Sequence, residues 1–135
     1  MEWRFLEPND FKWMMNVSKK HHKESDWSEV EYSDDKVKGY INTALSDPNY
    51  FAIVVEKDEE KIGFMAGRLL EYSFSHEKFA RELDLYVVPS ERKGMTGIFM
   101  MKKFMDWAKI NNAVEVLFEP RLSDKAIKKF DAMAK

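Results

Sequence analysis

The nine residues from Pro89 to Gly97 (Pro-Ser-Glu-Arg-Lys-Gly-Met-Thr-Gly) are the part of this chain best suited to chemistry. Pro89 ends an apolar strand. Two cations, Arg92 and Lys93, and two glycines, Gly94 and Gly97, then lead directly into a helix. The first turn of a helix presents unpaired N–H groups and the positive end of the helix dipole, so an anion is stabilised there. Glycine allows a backbone to approach a phosphate closely, and the cations add charge. Taken alone, the pattern fits either a phosphate site or a Gly-containing turn with a solvated Arg–Lys pair. Upstream, Glu82 and Asp84 stand two apart, which places them on one face of a regular strand.

Other chemistries find little support. The chain has no cysteine, which excludes disulfides and thiolate metal sites. His21 and His22 are adjacent and His76 is distant, whereas a helical metal pair needs i,i+4 spacing and further ligands, so no metal is expected. No Gly-x-Ser-x-Gly elbow, Walker loop or dinucleotide fingerprint occurs. With 44% apolar and 34% charged residues in 135, the chain reads as one globular domain, 1–135. Its first ten residues lack an apolar signal core, and no apolar run is long enough for a membrane span, which implies a cytoplasmic protein.

A net charge of −2 recruits neither nucleic acid nor an anionic membrane. The charges are segregated, however. Residues 21–35 hold six acids against Lys23, and residues 121–135 hold five cations against Asp124 and Asp131. Each run reads as a solvated face, with the acidic one alternatively forming a wall that attracts a cationic acceptor. Trp27 and Tyr32 in that loop either line an acceptor pocket or tether the loop to the core. The nine methionines read as core filling.

The elements that must hold these residues follow from periodicity. A strand over 3–7 ends at Pro8, and Asn9 or Asp10 caps a helix to about Lys20 with Phe11, Met14, Met15 and Ser18 on one face. Ser33 or Asp34 caps a second helix to about Leu45, with Val37, Tyr40, Ile41 and Ala44 inward. Strands are expected over 50–56, 61–71 and 79–88, the first two joined by a hairpin at 58–60. Gly63 and Gly67 inside the second suggest a bulge or a close backbone approach. Thr96–Ile110 reads as a helix with Ile98, Met101, Phe104, Met105 and Ala108 inward, ended by the Asn111-Asn112 pair. A strand over 113–119 and a helix over 123–134 complete the order β-α-α-β-β-β-α-β-α. This is an α/β sandwich on a mixed, mostly antiparallel sheet, with the 79–88 and 113–119 strands as parallel neighbours.

From Lys61 to Trp107 the sequence resembles the GNAT superfamily of acyl-CoA N-acyltransferases, and short phage-encoded members are nearest in character. Lys61-Ile-Gly-Phe-Met-Ala-Gly-Arg68 resembles the family's third strand, and Tyr86-Val-Val-Pro-Ser-Glu-Arg92 the end of its fourth strand. The family's Arg/Gln-x-x-Gly-x-Gly/Ala loop corresponds to Arg92-x-x-Met95-x-Gly97, with Gly94 one place early. The resemblance implies acetyl-CoA as co-substrate. Its pyrophosphate would lie on Arg92, Lys93, Gly94, Met95, Thr96 and Gly97, and its pantetheine arm along Leu85, Tyr86 and Val87. The N–H of Val87 would stabilise the oxyanion, Glu82 would be the base that deprotonates the amine, and Ser123 would stand where the family's cofactor-side Asn is usual. Phe130 stands where a family Tyr often protonates the leaving thiolate. The acceptor would be a small-molecule or protein amine. The last two family strands are not found after 123–134, so a homodimer completing the sheet edge is expected. The rival reading is a non-catalytic GNAT-fold module that binds CoA or a protein partner.

Overall fold

The computed structural model describes residues 1–118. Its elements run β1 (Glu2–Phe5), a 3-10 turn (Pro8–Asp10), α1 (Phe11–Glu24), α2 (Asp34–Ser46), β2 (Tyr50–Lys57), β3 (Glu60–Glu71), β4 (Lys78–Val87), a second 3-10 turn (Pro89–Glu91), α3 (Thr96–Ile110) and β5 (Val116–Leu117). The five strands form one sheet in the order β1-β2-β3-β4-β5. Every pairing is antiparallel except β4 with β5, which is parallel as the βαβ order implies. The sheet is covered on both faces. Phe51, Ile53, Met65, Met100 and Phe104 form the core beneath α3, while Met14, Val17, Ile41, Phe64 and Tyr86 form the core beneath α1 and α2. This explains why Phe51–Val55 on β2 is buried without interruption, since both of its faces meet a helical layer.

Four expectations about boundaries and faces need correction. Asp10 does not cap α1. Its fully buried carboxylate instead takes two hydrogen bonds from the Arg4 guanidinium (2.6 and 2.8 Å), one from the Glu7 N–H, and an ion pair with Lys61 at 2.7 Å. These contacts pin β1, the first 3-10 turn and the start of β3 together. The helix α1 also runs one turn past Lys20, because the inward stripe Met14–Val17 continues to His21, and it stops where Ser25 bonds back to the His22 carbonyl. On α2, Ser33 caps the helix through the Lys36 N–H as its type predicts. However, Tyr40 is 60% exposed rather than buried.

The fourth correction concerns α3. Its buried ridge is Thr96, Met100, Phe104 and Ala108, spaced by four, while Ile98 and Met105 are about half exposed. The two strand glycines select this ridge. A Cβ on Gly63 would lie 3.1 Å from the Met100 methyl, and one on Gly67 only 2.4 Å from the Phe104 ring. The helix therefore sits down into the depressions that the glycines leave, as their presence inside a strand suggests. At the far end Asn112 adopts φ 62, the left-handed geometry its type favours, and ends the helix. The fifth strand is only two residues long, and the helix expected over 123–134 lies outside the described residues.

Candidate functional site

The geometry of the site is set by one irregularity in β4. Ala66 on β3 lies opposite Asp84, but its neighbour Gly67 lies opposite Glu82, so Leu83 is an extra residue. A bulge of this kind bends the strand and resets which side chains face which layer. Glu82 shares the α3 face with Gly67 and is 1% exposed. Asp84 shares the α1/α2 face with Ala66 and borders a cavity there. The placement of both acids on one face, expected from regular alternation, is therefore wrong. It also puts Glu82, the expected base, in the core under α3 and not on the cavity side.

The bulge also marks where the sheet opens. Ladder contact between β4 and β5 is confined to Ala80↔Val116 and Arg81↔Leu117 among the described residues. Past that point β4 has a free side. The Val88 N–H donates to Ile62 on β3, so by alternation the N–H groups of Leu85 and Val87 turn away from β3 toward this open side. The first is taken by the neighbouring Asp84 carboxylate at 2.9 Å. The carbonyl of Val87, on the same side, accepts from Arg92 Nε at 2.8 Å.

The first turn of α3 lies next to this edge. Its N-cap residue is Met95, whose side chain makes no capping hydrogen bond. Gly97 is the second residue of the helix, and among the described residues outside its own helix turn the nearest atom to a Cβ there would be in Leu85, at 3.8 Å. Space is thus left open between the helix N-terminus and the β4 edge. Thr96 is buried and turns its hydroxyl to the Met1 sulfur, so its backbone is what faces the opening. Lys93, Gly94 and Met95 are exposed. Uncapped N–H groups, an open cradle and an exposed lysine fit the pyrophosphate and pantetheine of an acyl-CoA.

Arg92 behaves differently from the expectation of a cation aimed into the loop. Its guanidinium donates to Glu24 at the end of α1 (2.7 Å) and lies over the Tyr86 ring, 5.5 Å from its centroid. It thereby ties the loop to α1. The Tyr86 side chain is buried between Phe64, His21 and Arg92, which leaves only its backbone for a ligand. Ser123 and Phe130 lie outside the described residues.

On the opposite face of the sheet, α1, α2 and their connection enclose a cavity of about 1100 Å³. Trp27, Tyr32 and Tyr40 supply aromatic wall, while Glu24, Asp26 and Asp84 supply carboxylates. Trp27 and Tyr32 both line this cavity, and the Tyr32 ring also packs against His22 of α1 with centroids 5.3 Å apart, which ties the loop to the helix. The Tyr32 hydroxyl is buried with no hydrogen-bond partner among the described residues. Burial, and then the charge of Asp34, raise this phenol above its ordinary pKa, so it stays a neutral donor. The sequence reading missed the pairing of His21 with Asp84, Nε2 to Oδ1 at 3.1 Å. The signal was present, since His21 is the next member of the Met14–Val17 stripe.

Comparison with known proteins agrees with this architecture. The family model described as the acetyltransferase (GNAT) family matches residues 11–130. An aminoglycoside antibiotic 6'-N-acetyltransferase from Acinetobacter haemolyticus superposes with a TM-score of 0.74 at 13% identity, covering 98% of this chain and 88% of that one. A predicted acetyltransferase from Clostridium acetobutylicum, solved with acetyl-CoA, gives 0.74 at 17% identity over 96% and 87%. An aminoglycoside acetyltransferase from an uncultured soil metagenomic sample, in complex with sisomicin, gives 0.68 at 14% identity over 99% and 86%. Among curated proteins no sequence relative is found. At such identities the structures speak for the fold, and the family model covers most of the sequence: this chain belongs to the GNAT acetyltransferase family.

Proposed function

We propose that this protein transfers the acetyl group of acetyl-CoA to a primary amine of a cationic small molecule. The observation that carries the reading is the meeting of two sites at the β4 bulge. The open backbone edge and uncapped α3 terminus lie on one side, and the acidic, aromatic cavity opens on the other. The thioester supplies an acetyl group already activated for attack by nitrogen. The first-turn N–H groups of α3 and Lys93 would hold the pyrophosphate, and the edge from Leu85 to Val87 would align the pantetheine amides. Ser123 is proposed as a further contact on the cofactor side. The Val87 N–H, directed to the open side, would donate to the acetyl oxygen as charge builds on it. The acidic wall of Glu24, Asp26 and Asp84, of which Glu24 also holds Arg92 and Asp84 also meets His21, would attract the ammonium group, and the aromatic wall would exclude water around it.

The test is thiol release from acetyl-CoA in the presence of a panel of amines that includes spermidine and sisomicin. Amine-dependent release is the expected result. Binding of acetyl-CoA without release from any member of the panel would assign the chain to the non-catalytic alternative.

A further inference from the structure

We propose that His21 is the base that deprotonates the acceptor amine, with Asp84 as the residue that positions it. This rests on the acetyltransferase reading above and identifies a residue of the same site. The reaction needs a neutral amine, whereas a primary amine near neutral pH is mostly an ammonium ion. The cavity that would receive the ammonium must therefore also contain a group able to take one proton.

The structure narrows the choice. Glu82 is closed into the core on the α3 face. On the cavity side, His21 Nε2 lies 3.1 Å from Asp84 Oδ1. That oxygen also accepts the Leu85 N–H, which fixes the carboxylate against the strand edge where the thioester would lie. The imidazole is further held edge-on to the buried Tyr86 ring at 5.4 Å. Each half of the pair is thus oriented by the backbone or by packing. The positions of both follow from the fold, since α1 carries its inward stripe to His21 and the bulge turns Asp84 to the same face.

The chemistry follows from which nitrogen faces the carboxylate, namely Nε2. A carboxylate at Nε2 selects the tautomer with hydrogen on Nε2, and leaves the lone pair on Nδ1 at the other side of the ring. The proton moves from the ammonium nitrogen to His21 Nδ1, directly or through one water. The electrons of the broken N–H bond remain on nitrogen as the attacking lone pair. The imidazolium formed carries hydrogen on both nitrogens and is stabilised by Asp84, the same logic by which a carboxylate supports histidine in hydrolytic triads.

The surroundings determine how this base titrates. Asp84 and Tyr86 face it from β4, and Arg92 approaches from the β4–α3 loop with its charge matched by Glu24. The remaining titratable groups of the cavity wall among the described residues are His22, Asp26, Tyr32, Tyr40 and Tyr50.

Two measurements test the proposal. The first is kcat/KM against pH for acetyl transfer to whichever of spermidine or sisomicin is turned over. The second is the NMR titration of the His21 imidazole in the free protein, assigned by comparison with His21→Gln. His21→Gln should lower kcat/KM by about 10²-fold or more and abolish the acidic limb, with acetyl-CoA affinity by calorimetry unchanged. Asp84→Asn should keep the limb but move it about one pH unit lower, because the imidazolium loses its carboxylate. The NMR titration should move by the same amount. A His21→Gln enzyme within about threefold of wild type and with the same limb would overturn the proposal while leaving the acetyltransferase reading intact. An imidazole titration insensitive to Asp84→Asn would overturn it as well. Acetyl-CoA binding with no transfer to any amine would overturn the transfer reading, and this proposal with it.

Discussion

Replacing Gly67 with alanine should destabilise the protein, and the size of the effect can be worked from its surroundings. The new Cβ would lie 2.4 and 2.5 Å from two atoms of the Phe104 ring and 3.1 Å from the Arg81 carbonyl oxygen. Carbon atoms in contact prefer about 3.5–4.0 Å, so ring or strand must retreat by about 1 Å. The ring has little room to do so. Phe104 is fully buried, with ring centroids of Phe51, Trp107 and Phe118 at 5.3, 5.9 and 6.0 Å. Overpacking of this kind costs about 1–3 kcal/mol, offset by about 0.4–1 kcal/mol from the lower entropy of the unfolded chain. With contacts as close as 2.4 Å the cost falls in the upper part of that range, and a net loss of about 1–2 kcal/mol corresponds to a fall in Tm of roughly 3–10 °C for a chain of this size. Differential scanning calorimetry measures it, with Gly39→Ala as the control. Gly39 is exposed within α2 and has nothing within 4 Å of its Cβ position among the described residues, so alanine there should stabilise by about 0.5–1 kcal/mol. Trimming the ring with Phe104→Leu in the Gly67→Ala background should recover part of the loss, which a double-mutant cycle would register as coupling. An unchanged or raised Tm for Gly67→Ala would refute the claim that this glycine seats α3 on the sheet.

Three further outcomes follow from other contacts. Asp10→Asn should cost about 2–4 kcal/mol in urea unfolding, because it leaves the part-buried Arg4 and Lys61 without their shared carboxylate. Burial alone would raise the Asp10 pKa, but the hydrogen bonds from Arg4, Lys61 and the Glu7 N–H hold it well below the ordinary carboxylate range. Its contribution is therefore complete above the unfolded-state value of about 4 and is lost as pH falls below it, so wild type and Asp10→Asn should converge in stability in acid. Glu59→Gly should raise Tm by a few degrees, since Asp58 and Glu59 both hold positive φ (52 and 68) in the two-residue turn between β2 and β3. Arg92→Ala should speed hydrogen exchange of the last α1 amides, because it removes the bond to Glu24 that fastens that helix end to the β4–α3 loop.

The regular parts of this fold were legible in the residues themselves. The bounds of α3 followed from its apolar spacing and its terminal Asn pair, the Ser33 cap from its hydroxyl, and the close approach at Gly63 and Gly67 from glycine inside a strand. Side-chain facing in β4 was not legible, because a bulge inserts Leu83 without any residue type that announces it, and period-2 reasoning fails one residue later. The same insertion puts Glu82 and Asp84 on opposite faces of the sheet. The partners of Arg92 were hidden for a related reason. A cation beside a glycine-rich loop was assigned to the loop, whereas its partners, Glu24 and the Tyr86 ring, come from elements that only the tertiary fold brings near. The end of α1 was lost because His21 and Glu24 are polar, although one continues the buried stripe and the other closes the ion pair.

The central claim is that acetyl-CoA binds across the N-terminus of α3 and the open edge of β4. Calorimetric titration of wild type and Gly97→Asp with acetyl-CoA tests it most directly. Gly97 is not in the positive-φ region and its Cβ position is open, so aspartate fits the protein. A carboxylate in the first turn of a helix also favours the dipole by about 0.3–1 kcal/mol, so Tm should hold or rise slightly. The same carboxylate would stand where the pyrophosphate lies and repel it. Wild-type binding, with affinity weakened more than about tenfold in a fully folded Gly97→Asp protein, is expected. No binding to wild type at millimolar acetyl-CoA, or equal affinity in the two proteins, would contradict it.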